Sequence, residues 1–268
     1  MNRPATAPRA RVARRPHPAS WMLALPLLLA GLLLAQGALA SHPHGQPASQ
    51  APATALSPAQ LRATLAAMPQ GDPQRGGRLH QARMCASCHG DDGAAPTGNW
   101  ASLAGQKAAY TYKSLLDYQT GRRLEHGRAN LMRVAVQGLS RQDMADLAAW
   151  YATLPAVASP LPPTYPPVSP QARVQAEWLV RKGDPARLLT PCASCHGARG
   201  QGGVNASPAL AGQTVGAFTR TLLDYREGRR ATDAHQGMGQ FAQRLTLEEI
   251  HALAAYYAGQ GKTLETRK

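Results

Sequence analysis

The chain has 268 residues and a formal net charge of +14, from 29 Lys and Arg against 15 Asp and Glu. Only 16% of residues are charged, 44% are hydrophobic and no basic run exceeds two residues, which excludes a disordered polycation and argues for globular domains. With 14 aromatic residues (2 Phe, 8 Tyr and 4 Trp) against 25 Gly and 22 Pro, the core is short of large side chains and calls for something else to fill it.

Residues 1–40 read as a secretory signal peptide. Arg3, Arg9, Arg11, Arg14 and Arg15 form an acid-free basic leader, an apolar stretch runs from Trp21 to Ala35, and Ala38-Leu39-Ala40 supplies the small residues of a cleavage site. The alternative, an uncleaved anchor, is weakened because the stretch falls short of the ~20 residues that span hydrocarbon. Arg14-Arg15 is followed by Pro-His-Pro, which argues against twin-arginine export. Loss of the leader leaves 24 basic and 15 acidic residues, a charge of +9. Residues 41–70 read as a flexible, polar and Pro-rich segment that includes a short helix from Pro58 to Met68.

The first unit, 71–154, opens with a helix from Pro73 to Gln81 and reaches Cys85-Ala86-Ser87-Cys88-His89. The pattern recurs as Cys192-Ala193-Ser194-Cys195-His196, and these are the only 4 cysteines. C-x-x-C-H is the attachment signature of c-type haem. Two thiols on one helical turn add to the two vinyl groups on one edge of the porphyrin, and the following His lies under the iron as its proximal ligand. Three alternatives compete. A four-cysteine zinc site needs the pairs to converge although they lie 107 residues apart, against the usual ~15–20. A thioredoxin-like pair needs a strand-helix-strand setting. Two disulfides within the C-x-x-C turns would be unusual.

Asp91 to Trp100 is irregular by composition. A helix follows from Lys107 to Tyr118, ending near Gly121, and a closing helix starts at the N-cap Ser140 and runs to about Tyr151. The seven prolines between Leu154 and Pro170 make 155–170 a linker that spans ~50 Å when extended, long enough for two units to fold back face to face. The second unit, 171–260, repeats the first. Leu103-Ala104-Gly105-Gln106 returns as Leu210-Ala211-Gly212-Gln213 and Gly121-Arg122-Arg123 as Gly228-Arg229-Arg230, all offset by 107; beyond Arg123 the offset is 106. Its helices are placed at Ser169 to Lys182, Val215 to Tyr225 and from the N-cap Thr246 to Tyr257, with a capping box to Glu249. Residues 261–268 are a tail.

Repeat arithmetic also selects the sixth ligand of each iron. The second unit contains one methionine, Met238, whose offset of 106 points to Met132, and both stand seven residues before the Leu of the closing-helix cap, in a loop. Met144 matches Ile250 and reads as core; Met84 is too near a haem cysteine to cross to the other haem face. Bis-His ligation through His126 or His235 is the rival, although neither repeats, and those two with His42, His44, His80 and His251 read as surface or loop residues. The metal-ligand set is therefore His89, Met132, His196 and Met238, with Cys85, Cys88, Cys192 and Cys195 holding two covalent haem c groups.

The order C-x-x-C-H-G, L-A-G-Q, L-x-x-Y-x-x-G-R, Met, cap and L-A-x-Y-Y, present twice from about Gly71 to Gly259, resembles the dihaem cytochromes c of the c4 type. The resemblance implies an all-α fold of two class I cytochrome c domains related by a pseudo-two-fold axis, His/Met-ligated irons, and electron transport in the periplasm toward terminal oxidases. It also implies a Pro two residues before L-A-G-Q whose carbonyl holds the proximal His. Pro208 fits; Ala101 departs, and the hydrogen bond is expected to survive in a looser loop. An insertion around Gly183 to Arg187 is a second departure.

Filled coordination makes one-electron transfer the expected chemistry and an electron-transfer protein, rather than an enzyme, the expected class. A dihaem peroxidase or sulfur-compound dehydrogenase would need an open iron or a cysteine ligand, and no fifth cysteine exists. A cytochrome subunit bound to a dehydrogenase stays open. Four propionates bring the mature charge from +9 to about +5, which suits redox partners with acidic docking surfaces, excludes nucleic acid, and leaves room for peripheral membrane association. Arg122-Arg123 and Arg229-Arg230 either meet such partners or propionates, or compensate helix dipoles; an acid-base role for the recurring Asp117 and Asp224 is disfavoured. Trp150, Tyr151, Tyr256 and Tyr257 are expected to pack each closing helix on its opening helix.

Overall fold

Local capping chemistry sets most of the helix boundaries in the computed structural model, which describes residues 55–261. Eleven α-helices occur among them: α1 Pro58–Ala66, α2 Pro73–Ala82, α3 Ala86–His89, α4 Ala108–Gln119, α5 Gly127–Val136, α6 Arg141–Thr153, α7 Pro170–Arg181, α8 Cys192–His196, α9 Val215–Arg226, α10 Gly237–Gln243 and α11 Leu247–Ala258. Pro stands at the first position of α1, α2 and α7, behind Ser57, Asp72 and Ser169, whose side-chain oxygens accept backbone N–H groups. Both closing helices, α6 and α11, carry full capping boxes, Ser140 with Asp143 and Thr246 with Glu249. No strand occurs among the described residues, so the fold is all-α. The leader at 1–40, most of the segment 41–57 and the tail beyond 261 lie outside the described residues.

Each half packs an opening helix on a closing helix: α2 on α6, and α7 on α11. The first crossing is close because Gly76 leaves room; a Cβ there would lie 2.0 Å from the Asp146 carbonyl oxygen. The second uses Ala172, Ala176, Leu179 and Val180 against Leu253, Ala254 and Ala258. The amphipathic helices α4 and α9 bury Leu115 and Leu116 in one core and Phe218 and Leu222 in the other. Met144 is fully buried in the first core, at the position Ile250 fills in the second.

Several expectations need correction. The segment 41–70 is not wholly flexible: α1 packs against α4 of the first half and the turn Ala234–Gln236 of the second, and burying Leu61 is what holds it there. The insertion is an ordered 3₁₀ turn, Pro185–Arg187, closed by paired backbone hydrogen bonds between Asp184 and Leu189 at 2.8 and 2.9 Å. The two methionines sit in helices, α5 and α10, rather than in loops. His80 is not a surface residue but fully buried, its ring nitrogens 2.7 Å from the Tyr151 hydroxyl and 2.8 Å from the Gly90 carbonyl. Tyr257, in the same core as the opening helix, also stacks on Phe218 of α9, with ring centroids 5.6 Å apart.

The linker lies along the second half, where Ser159 N–H donates to Ala258 O at 2.9 Å and the Tyr165 hydroxyl donates to His251 O at 2.9 Å. The halves meet through backbone and side chain alike. Gly216 N–H donates to Gly98 O at 2.9 Å, the Thr214 hydroxyl to Trp100 O at 2.6 Å, and Lys113 Nζ to Thr232 O at 2.7 Å.

Candidate haem sites

Cys85 caps the short helix α3 and Cys192 begins α8, so each Cys-x-x-Cys-His lies on a single helical turn with both sulfurs and the imidazole projecting from neighbouring positions. Gly90 and Gly197 end these turns at φ +75° and +83°, and a Cβ at Gly90 would lie 2.0 Å from Ala94 O. The glycine after each His is thus required by the sharp exit of the chain.

Both histidines are buried. His89 Nδ1–H donates to Ala101 O at 2.7 Å and His196 Nδ1–H to Pro208 O at 2.9 Å, which leaves each Nε2 its lone pair. The hydrogen bond therefore survives the exchange of Pro for Ala at 101, since only a backbone carbonyl is needed. Burial lowers both imidazole pKa values against the opposing pull of those carbonyls, which favours the neutral ring that a metal needs.

No disulfide joins any of the four cysteines. Burial pushes Cys85 up and Cys192 up to about 11, opposite to the depressed value of a redox-active nucleophile. Neither does a zinc site form: among the described residues the one cluster with metal-ligand potential is Glu125, His126 and Asp224, and it contains no cysteine. Charges in that cluster are already matched, Glu125 by Arg123 at 2.6 Å and Asp224 by Arg229 at 2.8 Å.

A cavity of about 680 Å³ runs between the halves, and its wall includes Cys85, Cys88, His89 and Met132 from one and Cys195, His196 and Met238 from the other. Cys192 stands just off this wall, half-buried against the second core. The bis-His rival fares worse. His126 is the N-cap of α5, where Nδ1 accepts the Ala129 N–H at 3.3 Å and Nε2 faces Asp224 Oδ2 at 3.2 Å, so neither nitrogen is free. The His235 side chain lies outside the described residues.

The wall fits haem c in chemistry as well as in place. Leu115, Leu139, Leu147, Phe218, Leu222 and Phe241 give it an apolar lining, and its charged residues include two buried arginines, Arg123 and Arg230. Of each recurring Arg-Arg pair, the first member turns toward Asp117 or Asp224, while the second is buried on the cavity wall. Arg123 lies 4.2 Å over the Tyr118 ring and pairs with Glu125. Arg230 lies 4.7 Å over Tyr225 and donates to the Tyr110 hydroxyl at 3.1 Å, with no carboxylate in ion-pair range among the described residues. A buried cation lacking an anion is costly, so an anionic group such as a propionate belongs at this wall. Recurrence had singled out these arginines; their burial was not legible from it.

Sequence reasoning noted Gln106 and Gln213 only as repeated letters. In the fold each reaches into the other half: Gln106 Oε1 accepts Ala209 N–H at 2.8 Å and its Nε2 donates to Ala209 O at 3.1 Å, while Gln213 makes the equivalent bonds to Ser102 at 2.9 and 3.1 Å. Ser102 and Ala209 are themselves 107 positions apart, so these reciprocal bonds are the pseudo-two-fold axis written in hydrogen bonds.

The Cytochrome c family model matches residues 73–155 and 185–258, one segment per half. Cytochrome c4 of Thiocapsa roseopersicina is 34% identical over 197 residues, 72% of this chain and 96% of that protein. A thiosulfate dehydrogenase electron acceptor of Stutzerimonas stutzeri is 32% identical over 193 residues, 70% of this chain and 84% of that protein. The crystal structure of reduced cytochrome c4 from Pseudomonas stutzeri superposes with a TM-score of 0.61 at 30% identity, covering 70% of this chain and 98% of that one. Helix α1, residues 156–170 of the linker and helix α7 fall outside the family match. Two matched segments, two Cys-x-x-Cys-His turns and one shared cavity agree: the chain belongs to the cytochrome c family, as a dihaem electron-transfer cytochrome of the c4 type with two covalently bound haem c groups.

Proposed function

We propose that this cytochrome is exported to the periplasm by its leader and carries electrons one at a time between respiratory partners, toward a terminal oxidase. The observation that carries the reading is the single cavity walled by a His and a Met from each half. Each haem c, when bound, supplies one reversible Fe(III)/Fe(II) electron. Cys85 and Cys88, with Cys192 and Cys195, hold the two groups covalently. His89 and Met132 would hold one iron, and His196 and Met238 the other. With no position left for substrate, the chain's work is to hold, insulate and tune. Met ligands and the apolar lining would favour the ferrous form, and the buried Arg123 and Arg230 would balance propionate charge.

The mature charge of about +5 supports brief docking to acidic faces of redox partners, slowed by salt. A second reading, electron acceptor or cytochrome subunit of a periplasmic dehydrogenase, is favoured by the Stutzerimonas stutzeri relative named as accepting electrons from thiosulfate dehydrogenase. Spectroscopy of the purified oxidised protein tests the ligand set: a far-red Met-to-ferric-iron band from both haems is expected, and a high-spin haem that rapidly binds peroxide would overturn it. Oxidation of the reduced protein by oxidase-containing membranes, compared with its reduction by a thiosulfate dehydrogenase, separates the two partner readings.

A further inference from the structure

The crossed glutamines touch more than the interface. The N–H of Ser102, which Gln213 Oε1 accepts at 2.9 Å, belongs to the same peptide unit as the Ala101 carbonyl, which receives His89 Nδ1–H at 2.7 Å. The N–H of Ala209, which Gln106 Oε1 accepts at 2.8 Å, likewise shares a peptide with the Pro208 carbonyl that receives His196 Nδ1–H at 2.9 Å. Each chain of bonds starts at a histidine in one half and ends on a glutamine in the other.

A peptide group polarises as one resonant unit, so an acceptor at its N–H places more negative charge on its carbonyl oxygen and strengthens the bond that oxygen accepts. A stronger bond at Nδ1–H makes an imidazole a more basic ligand and tunes the metal it holds. The glutamines are fixed for this task. Oε1 of Gln106 also accepts its neighbour Lys107 N–H at 2.9 Å, Oε1 of Gln213 accepts Thr214 N–H at 2.9 Å, and each Nε2 faces a carbonyl, so only one amide orientation satisfies every partner.

We propose that Gln106 and Gln213 are crossed positioning residues: each sets, through a shared peptide unit, the hydrogen bond of the axial histidine in the opposite half, and so the reduction potential of the haem bound there. The proposal rests on His89 and His196 as axial ligands. It makes docking of the halves part of the tuning of both irons, because neither half contains its own brace.

The test uses the dihaem holoprotein, a redox titration followed by NMR of haem methyl resonances assigned to each half, and hydrogen exchange at the histidine Nδ1–H. Gln213→Leu is expected to raise the potential of the haem on Cys85 and Cys88, leave the other haem nearly unchanged, and speed exchange at His89 about fivefold, the scale of one hydrogen bond. Gln106→Leu is expected to give the mirror result at His196. Gln213→Glu keeps an oxygen to accept Ser102 N–H whether or not it is protonated, so the potential of the first haem stays or falls. If Gln213→Leu does not fold, that sign in Gln213→Glu remains decisive, and a rise there overturns the proposal. A shift confined to the haem of the mutated half, equal shifts of both haems, or no shift in a normal low-spin protein also overturns it. A parent protein whose spectra lack histidine ligation would break the axial-ligand reading instead.

Discussion

The two halves bury the same motif with different fasteners. In each, the acid at the third position of the closing helix, Asp143 or its equivalent Glu249, is gripped by an arginine from the segment that leads to the cysteines. In the first half that arginine is Arg75 of α2, which also bonds Asp146. In the second it is Arg187 of the inserted turn, bidentate to Glu249 at 2.7 and 3.0 Å and tied to Asp184 at 2.7 Å. The turn therefore replaces, from a different place in the chain, a clamp that the opening helix provides in the first half. Below the clamps the halves diverge further: His80 joins Tyr151 to the Gly90 carbonyl in one, while Tyr257, at the position of Tyr151, stacks on Phe218 in the other. What is held in common is the placement of the haem turn, and the means of holding it are interchangeable.

Removing one haem breaks the comparison most directly. Replacing Cys85 and Cys88 by Ser is expected to halve the haem per polypeptide in a pyridine haemochrome assay and leave a spectrum belonging to the second half alone. The next largest contrast lies in the polar core. His80→Phe strands the buried Tyr151 hydroxyl and the half-buried Gly90 carbonyl and should cost roughly 2 kcal/mol in denaturant unfolding of the holoprotein, whereas Tyr257→Phe, which keeps the ring stacking, should cost less than about 1 kcal/mol. Arg75→Ala and Arg187→Ala sharpen the equivalence of the clamps: both arginines are partly exposed, so the two substitutions should lower stability by similar, small amounts, and a large inequality would show that the two clamps are not interchangeable.

Acid reaches both clamps in the same window. Burial opposes ionisation of Asp143, yet Ser140 and Arg75 hold its carboxyl below the usual range; Arg187 and Thr246 do the same for Glu249. Folded values below unfolded ones mean that the stabilisation is complete above the unfolded pKa values, about 4, and is lost as pH falls through the folded ones. Unfolding curves taken downward from pH 5 should show stability falling below about pH 4, and the double variant Asp143→Asn with Glu249→Gln should flatten that fall.

Much of this was readable along the chain because its determinants are local. Ser140 and Thr246 cap the helices expected of them, and Gly90 and Gly197 end the haem turns, since capping and positive φ depend on a few neighbouring residues. His80 was misread as a loop residue because nothing in its neighbours announces a tyrosine 71 positions away. For Arg123 and Arg230 the sequence left acidic partners, propionates and helix dipoles all open for the same reason: their burial follows from how two halves close over one cavity.

Repetition was the strongest signal available to the linear chain. The two C-x-x-C-H motifs and their constant offset determined two haem c groups, because covalent attachment demands fixed chemistry at fixed spacing, and the methionines at matched positions supplied the candidate ligands. Only the tertiary structure decided that the halves share one cavity, that an added helix, α1, packs across both, and that the glutamine of each L-A-G-Q motif reaches the other half's histidine loop. Those contacts join residues about a hundred positions apart, and hydrogen bonds of that span are set by the docking of two folded surfaces, which no local pattern encodes.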